Sequence, residues 1–294
     1  MPMRSSMIDF SDIKNNKCAV VGSSGYVGKP LTKYLRENLG LRVTEIEKDT
    51  ETKAYKKAEV FFVAVPTPTS NRQFCADILH DVINKIPKGT LVIIRSTVPA
   101  WVVKSLILSH PQKTFVVVPE FLDADTAALN FLNPYRLVVG VERPDTMAGR
   151  DLAKFVLKFF PGNINKEKNY LMSIEEACLT KYAANAFFLL KNVFFNQVYE
   201  LAAISGMDHK KVLEAISEDP RIGKTHAVVP HKGGRGAGGG CLVKDFEVFI
   251  DFFRKIRFPT KDTRIAFLEA ASELNRHFLD VSNKNPEVLK DVFG

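Results

Sequence analysis

One early stretch restricts the fold more than any other. Lys17–Val21 is a short apolar run (KCAVV), closed at once by Gly22-Ser-Ser-Gly25-Tyr-Val-Gly28. The next residues, KPLTKYLREN, place Leu31, Tyr34 and Leu35 at helical spacing. Strand, glycine turn and helix in that order make a dinucleotide fingerprint, because the turn sets helix N-terminal amides and the helix dipole against a pyrophosphate. Gly22, Ser24, Gly25, Tyr26, Val27 and Gly28 are therefore the candidate cofactor turn. The spacing is G-x-x-G-x-x-G rather than the commoner G-x-G-x-x-G. Pro30 fits the first helical turn, where its missing N–H is not needed.

A second strand, LRVTEIEKD, carries Glu47 at its end, at the distance where a carboxylate accepts from the ribose hydroxyls of NAD. Solvated strand-end charge is the other reading of Glu45, Glu47 and Asp49, and neighbouring Lys48 leaves NADP open. VFFVAVPTPTS, TLVIIRSTVPA, TFVVVPEFL and RLVVGV read as further strands. ADILHDVINKI, WVVKSLILS and DTMAGRDLAKFVLKFF read as the helices among them. Alternation of this kind implies right-handed crossovers and a doubly wound parallel sheet. Ligands gather at the carboxyl ends of such strands, where Thr67, Thr97 and Glu120 all fall.

From Ser173 the pattern turns helical. SIEEACLTKYAANAFFLLKNVFFNQVYELAAISG reads as one long helix, either a domain spine or a dimer interface. Lys181 and Asn185, four apart, share one of its faces; they are functional there or part of an exposed stripe. HKKVLEAISEDPRIG, DFEVFIDFFRKI and RIAFLEAASELNRHFLD supply three more helices. The expected architecture is an N-terminal Rossmann-like domain over residues 1–172 and an all-α central domain over 173–294.

Before the last two of those helices lies GGRGAGGGCLVKD, Gly233 to Asp245. So much glycine is costly to order and suits a flexible tether. Ending on Cys-Leu-Val-Lys-Asp suits a binding loop that delivers a nucleophilic thiol. A small buried hydrophobe is the third reading of Cys241.

Bulk properties set the frame. The chain has 294 residues, 46% of them hydrophobic, enough for two cores. No apolar run reaches membrane-spanning length. The opening MPMRSSMIDFSDIKNNK lacks an apolar core, so neither a signal peptide nor an anchor is expected. The 4 cysteines (Cys18, Cys75, Cys178, Cys241) lack paired spacing, which argues against disulfides or a metal site and for the reducing cytoplasm. A net charge of +8, dispersed along the chain, points to a phosphorylated small molecule rather than nucleic acid.

SGYVG, VAVPTPT, STVPA, PEFL, NPYR, KYAANAF, DPRIG and GGGCLVKD occur here in the order of the UDP-glucose/GDP-mannose dehydrogenase family, which the chain resembles over nearly all of residues 17–280. The resemblance implies a nucleotide-sugar substrate whose primary alcohol is oxidised to a carboxylate with two NAD. Cys241 would hold the carbon first as a hemithioacetal and then as a thioester. Lys181 and Asn185 would stabilise the oxyanion, and Asp245 or Glu120 would serve as base. Thr97 would touch the cofactor and position water, and Lys244 would contact the cofactor. Arg221 would reach the neighbouring subunit's substrate. Lys232 and the glycines after it, Gly236 and Gly238 among them, would wrap the sugar nucleotide. The long helix over 173–204 would join a homodimer.

The chain also departs from the family. Its cofactor turn has one residue more. The stretch between Glu47 and Val60 is short enough to drop a helix and a strand. Val118 replaces an Asn, and Asp123-Ala124-Asp125 replaces a stretch that carries a glutamate. The family's third domain, which grips the nucleotide, would begin about where the sequence stops. A smaller substrate, a dimer partner's help or a second protein would then be required. A two-electron 3-hydroxyacid-type dehydrogenase also pairs a Lys with an Asn four apart but gives Cys241 no role. A non-catalytic NAD-binding remnant of the family is the remaining alternative.

Overall fold

The computed structural model describes residues 11–122, 126–161, 168–256 and 263–294. It divides into two compact units, Met1–Thr67 with Ala76–Lys181 and Pro68–Cys75 with Tyr182–Gly294.

In the first unit the apolar runs become strands of one sheet. These are β1 (Cys18–Val21), β2 (Val43–Ile46) and β3 (Val60–Val63), then, after the short β4 (Thr69–Ser70) and β5 (Gln73–Phe74) of the other unit, β6 (Leu91–Ile94), β7 (Thr114–Val117), β8 (Leu137–Val141) and β9 (Asn169–Ser173). The sheet order is β2-β1-β3-β6-β7-β8-β9. β1, β3 and β6 are buried at every position, which is why they read as continuous apolar runs rather than alternating ones. The order reverses between β1 and β3, the kind of switch point where a doubly wound sheet opens a crevice.

Helices α1 (Gly28–Glu37), α2 (Asp77–Lys85) and α3 (Ala100–Ser109) connect the parallel strands. In place of a helix and strand between β2 and β3 there is only the 3-10 turn Thr52–Lys57, so β2 stays at the sheet edge. The expectation of an all-parallel sheet fails at one point: β8 runs antiparallel to β7. After helix α4 (Ala127–Leu132), of only 6 residues, the chain re-enters the sheet reversed. Helix α5 (Met147–Leu157), capped by Thr146 Oγ1 accepting from Gly149 N at 3.1 Å, leads on to β9, which pairs parallel to β8. The periodicity did not mark β9.

Helix α6 (Ile174–Ile204) is a single 31-residue element. Its start is a reciprocal cap. Ser173 N donates to Glu176 Oε2 at 2.7 Å, and Glu176 N donates to Ser173 Oγ at 3.2 Å.

The second unit holds the rest of α6, α7 (His209–Ser217), α8 (Gly240–Arg254), α9 (Thr263–Val281) and α10 (Pro286–Phe293). Ala186, Leu189 and Val193 of α6 pack with Phe246 and Ile250 of α8 and Phe278 of α9. α8 starts five residues before the expected Asp245, so Cys241 is a helical residue. α10 is a helix beyond the expected two and packs Val292 against Val243 and Leu279. The β4-β5 hairpin, which the sequence pattern did not mark, is part of this unit. Arg72 at its tip donates its N–H to Val292 O at 2.7 Å, lies 4.8 Å from the Phe293 ring centroid and pairs with Glu273. Among the described residues no helix is long and apolar enough to cross a membrane.

Glu247 on α8 is wholly buried, accepting from Ser272 Oγ, with Arg72 Nη1 3.8 Å from Oε2. Burial raises its carboxyl above the ordinary glutamate range, and Ser272 and Arg72 only partly oppose this. The folded state thus holds a proton that the unfolded chain has released, so stability falls as pH rises from the unfolded value through the folded one. Glu247→Gln is expected to remove this slope. Its stability relative to wild type, from urea denaturation, should rise as the pH increases above 4.5.

Candidate active site

The cofactor turn follows β1. Gly22 sits at φ +80°, and a Cβ there would lie 2.5 Å from Ala64 O. Gly28 opens α1 so close to the returning chain that a Cβ would lie 2.0 Å from Gly22 O. Gly25 N closes the turn onto Gly22 O at 3.3 Å. Val27 is buried just before the helix, Ser24 is exposed, and Tyr26 is 44% exposed.

The extra residue is accommodated by turning a serine inward. Buried Ser23 donates its Oγ to Glu47 Oε1 at 2.6 Å, and Ser24 N donates to the same oxygen at 2.7 Å. Partial burial acts against ionisation of Glu47, but these hydrogen bonds outweigh it and hold the carboxyl below its ordinary range. Glu47 is thus an anchored anion at the end of β2, held by the turn while still exposed to solvent. Glycine turn, helix N-terminus and anchored carboxylate fit a dinucleotide, the first two against its pyrophosphate and the third on ribose hydroxyls.

A second cluster of the first unit forms where β7 ends. Glu120 is 5% exposed; its Oε2 accepts from Leu122 N at 2.6 Å. Its Oε1 accepts from Tyr26 OH at 3.3 Å and lies 3.2 Å from Lys181 Nζ. Lys181 is buried too, with its ammonium 5.5 Å from the Phe121 ring centroid. It is therefore not part of an exposed stripe. Arg95, which the sequence reading missed, donates to Val118 O at 2.5 Å and to Pro119 O at 3.3 Å, fixing the backbone that presents Glu120. Burial pulls its guanidinium below the usual arginine value, with Glu120 and Tyr26 acting the other way. A charge ending the apolar run LVII was the available clue. Ser96 Oγ donates to Val65 O at 2.7 Å, tying β6 to the exit of β3; half-buried Thr97 follows it, and Thr67 is buried. Asp123-Ala124-Asp125 lies outside the described residues.

The second unit holds the thiol. Cys241 is exposed in the first turn of α8, where helix amides favour nearby negative charge. Cys18 and Cys178, by contrast, are buried, and burial pushes each thiol up to about 12. One turn beyond Cys241, Asp245 is 1% exposed. Asn185 Nδ2 donates to its Oδ2 at 2.6 Å and Lys244 Nζ to its Oδ1 at 2.5 Å. Asn185 is also buried, one turn after Lys181 on α6. The glycines form a built loop: Gly236 is buried and Gly238 half-buried, while Lys232 is exposed at φ 48°. Arg221 is exposed, with Nη2 donating to Asp219 Oδ2 at 2.7 Å. Lys191 Nζ of α6 donates to Ile222 O at 2.7 Å and Gly223 O at 2.9 Å, pinning that segment.

The chain thus joins a Rossmann-type unit, with an anchored carboxylate at the end of β2, to a helical unit bearing an exposed helix-terminal thiol. Residues 45–157 match the NAD-binding domain and residues 175–277 the central domain of the UDP-glucose/GDP-mannose dehydrogenase family, and the chain belongs to that family. The UDP-glucose 6-dehydrogenase of Pseudomonas aeruginosa is 34% identical over 209 residues, covering 66% of this chain and 44% of that protein. The UDP-glucose 6-dehydrogenase of Campylobacter jejuni is 26% identical over 95% of this chain and 69% of that protein. The chain thus spans under half of the first relative's length. A solved UDP-glucose dehydrogenase from Pyrobaculum islandicum shares the fold, with a TM-score of 0.72 and 24% identity over 89% of this chain and 68% of that one. The match to the NAD-binding domain makes NAD the cofactor.

Glu47→Gln removes the anchored charge. The expected result is NAD binding weakened by roughly tenfold, the loss of one hydrogen bond to a charged group, and a smaller gap between NAD and NADP. Tryptophan fluorescence or calorimetric titration of both cofactors measures it.

Proposed function

We propose that the chain oxidises the C6 primary alcohol of a nucleotide sugar of the UDP-glucose type to the carboxylate, through a covalent adduct on Cys241. The observation that carries this reading is the pairing, on one face of α8, of an exposed thiol with a buried carboxylate held by two donors. NAD, when bound, accepts one hydride in each of the two oxidations.

The chain's own residues do the remaining work. Asp245 or Glu120 takes the proton of the C6 hydroxyl as a hydride leaves C6, and the alcohol becomes an aldehyde. The Cys241 thiolate adds to its carbon, forming a C–S bond, and the carbonyl oxygen becomes an alkoxide. Lys181 is the donor for that charge, and its burial against Phe121 makes an ammonium there more effective than one in water. Asn185 adds a neutral donor. Departure of the second hydride converts the hemithioacetal to a thioester. Water then attacks the thioester carbon, its proton passing to Asp245 or Glu120, and the C–S bond breaks to return the thiolate and release the carboxylate.

Lys232 and the glycine loop hold the sugar nucleotide in this reading. Thr97 and Lys244 contact the cofactor, and Arg221 serves the partner's substrate. A reducing compartment such as the cytoplasm keeps Cys241 a thiol. The homodimer forms through α6, where Phe187, Phe194 and Leu201, each seven residues apart, are 61%, 52% and 66% exposed.

The deciding experiment mixes the protein with NAD and UDP-glucose, then with other nucleotide sugars, and counts NADH per substrate consumed. Two are expected, and Cys241→Ser should slow turnover by roughly a hundredfold or more. One NADH with an active Cys241→Ser variant would point instead to two-electron 3-hydroxyacid-type chemistry. NAD binding without turnover of any nucleotide sugar would point to a non-catalytic role. For the assembly, light scattering should give twice the chain mass of 32.9 kDa. Phe194→Glu with Leu201→Glu should reduce it to the monomer.

A further inference from the structure

The glycine loop before α8 is gripped by side chains from other elements of its unit. Asn196 Oδ1 on α6 accepts from Gly236 N at 3.1 Å. Asn275 on α9 holds Ala237 from both sides, its Oδ1 accepting from the N–H at 2.7 Å and its Nδ2 donating to the carbonyl at 3.1 Å. Ser282 Oγ accepts from Arg235 N at 3.0 Å, and buried Lys284 donates to Gly236 O at 2.9 Å.

Asn285 is different from these. It stands immediately before α10, at the left-handed φ of 53° that asparagine tolerates better than most residues. An asparagine in this position ordinarily turns its oxygen onto the first N–H groups of its own helix, worth about 1 kcal/mol. Asn285 makes no such cap. Its Oδ1 instead accepts from Gly239 N at 3.1 Å, 46 residues back along the chain. Gly239 is the residue on which α8 opens, two before Cys241. Asn285 Nδ2 donates to Glu287 Oε1 at 3.3 Å, which fixes which end of the amide faces Gly239. Gly238 permits the approach, since a Cβ there would lie 2.3 Å from Asn285 Oδ1.

We propose that Asn285 is a positioning residue for Cys241: by accepting the Gly239 N–H it fixes the first turn of α8, and with it the direction of the thiol. The local cap is given up in favour of that contact. The proposal rests on the reading of Cys241 as nucleophile, and acts through backbone placement without touching substrate.

The test compares Asn285→Ala, Asn285→Asp and wild type in the full chain. Asn285→Ala should speed hydrogen exchange across 234–243 by about tenfold while exchange at 91–94 and the affinity for NAD stay unchanged. With UDP-glucose and NAD, kcat should fall by roughly ten- to a hundredfold at nearly constant KM, as expected for a misplaced nucleophile. Asn285→Asp keeps the acceptor and should restore both readouts. Should the alanine variant not fold, Asn285→Ser, whose hydroxyl is too short to reach Gly239, takes its place. Unchanged exchange across 234–243 would overturn the proposal, and so would a uniform rise that aspartate does not rescue. If wild type makes no NADH, the proposed activity falls, and exchange with its aspartate rescue still decides whether Asn285 fixes this turn.

Discussion

The carboxylate of Asp245 is almost wholly withdrawn from water, and the second unit is built around making that tolerable. An unpaired buried charge is among the most expensive things a fold can contain, and removing one partner of a buried pair typically costs about 3–5 kcal/mol. Here each carboxylate oxygen has its own donor, Asn185 from the middle of α6 and Lys244 from the preceding position of α8. The register of α8 against α6 is thereby fixed by polar chemistry as well as by the apolar contacts of Phe246 and Ile250. Cys241 lies one turn earlier on the same helix, so its place follows from that register and from the glycine loop on the other side.

The first unit anchors two carboxylates of its own. Glu47 and Glu120 both end strands, and both are anchored by backbone N–H groups as well as side chains. For Glu47 the anchor is the additional serine pair of the cofactor turn. For Glu120 it is Leu122 N, with Arg95 bracing the carbonyls just before it. Each carboxylate is therefore preorganised, with little rotamer freedom left to lose when a ligand arrives.

Much of this was legible in the sequence, for reasons that differ by element. Buried parallel strands write themselves as unbroken apolar runs, so β1, β3, β6, β7 and β8 could be read directly. The glycine turn was legible because only glycine fits at positions 22 and 28. β9 was not, because Asn169–Ser173 is a partly exposed outer strand whose apolar Tyr170, Leu171 and Met172 do not alternate with polar residues. The reversal at β8 was not, because strand composition does not set pairing direction. Among the candidate site residues, several of those singled out from the sequence lie on strand ends or adjacent helix turns. Arg95, Asn196, Asn275 and Asn285 were missed, since each acts on a backbone group more than twenty residues away in sequence. Local patterning carries no trace of such a partner.

The β4-β5 hairpin has one more consequence. Residues 68–75 leave the first unit, join the second and return, so the polypeptide passes from one unit to the other three times. No single scission can therefore yield both units intact: a fragment beginning at residue 182 lacks the strand pair that seats Arg72 beside Phe293. During synthesis that hairpin emerges more than two hundred residues before α10, so this part of the helical unit can close only after α10 has emerged.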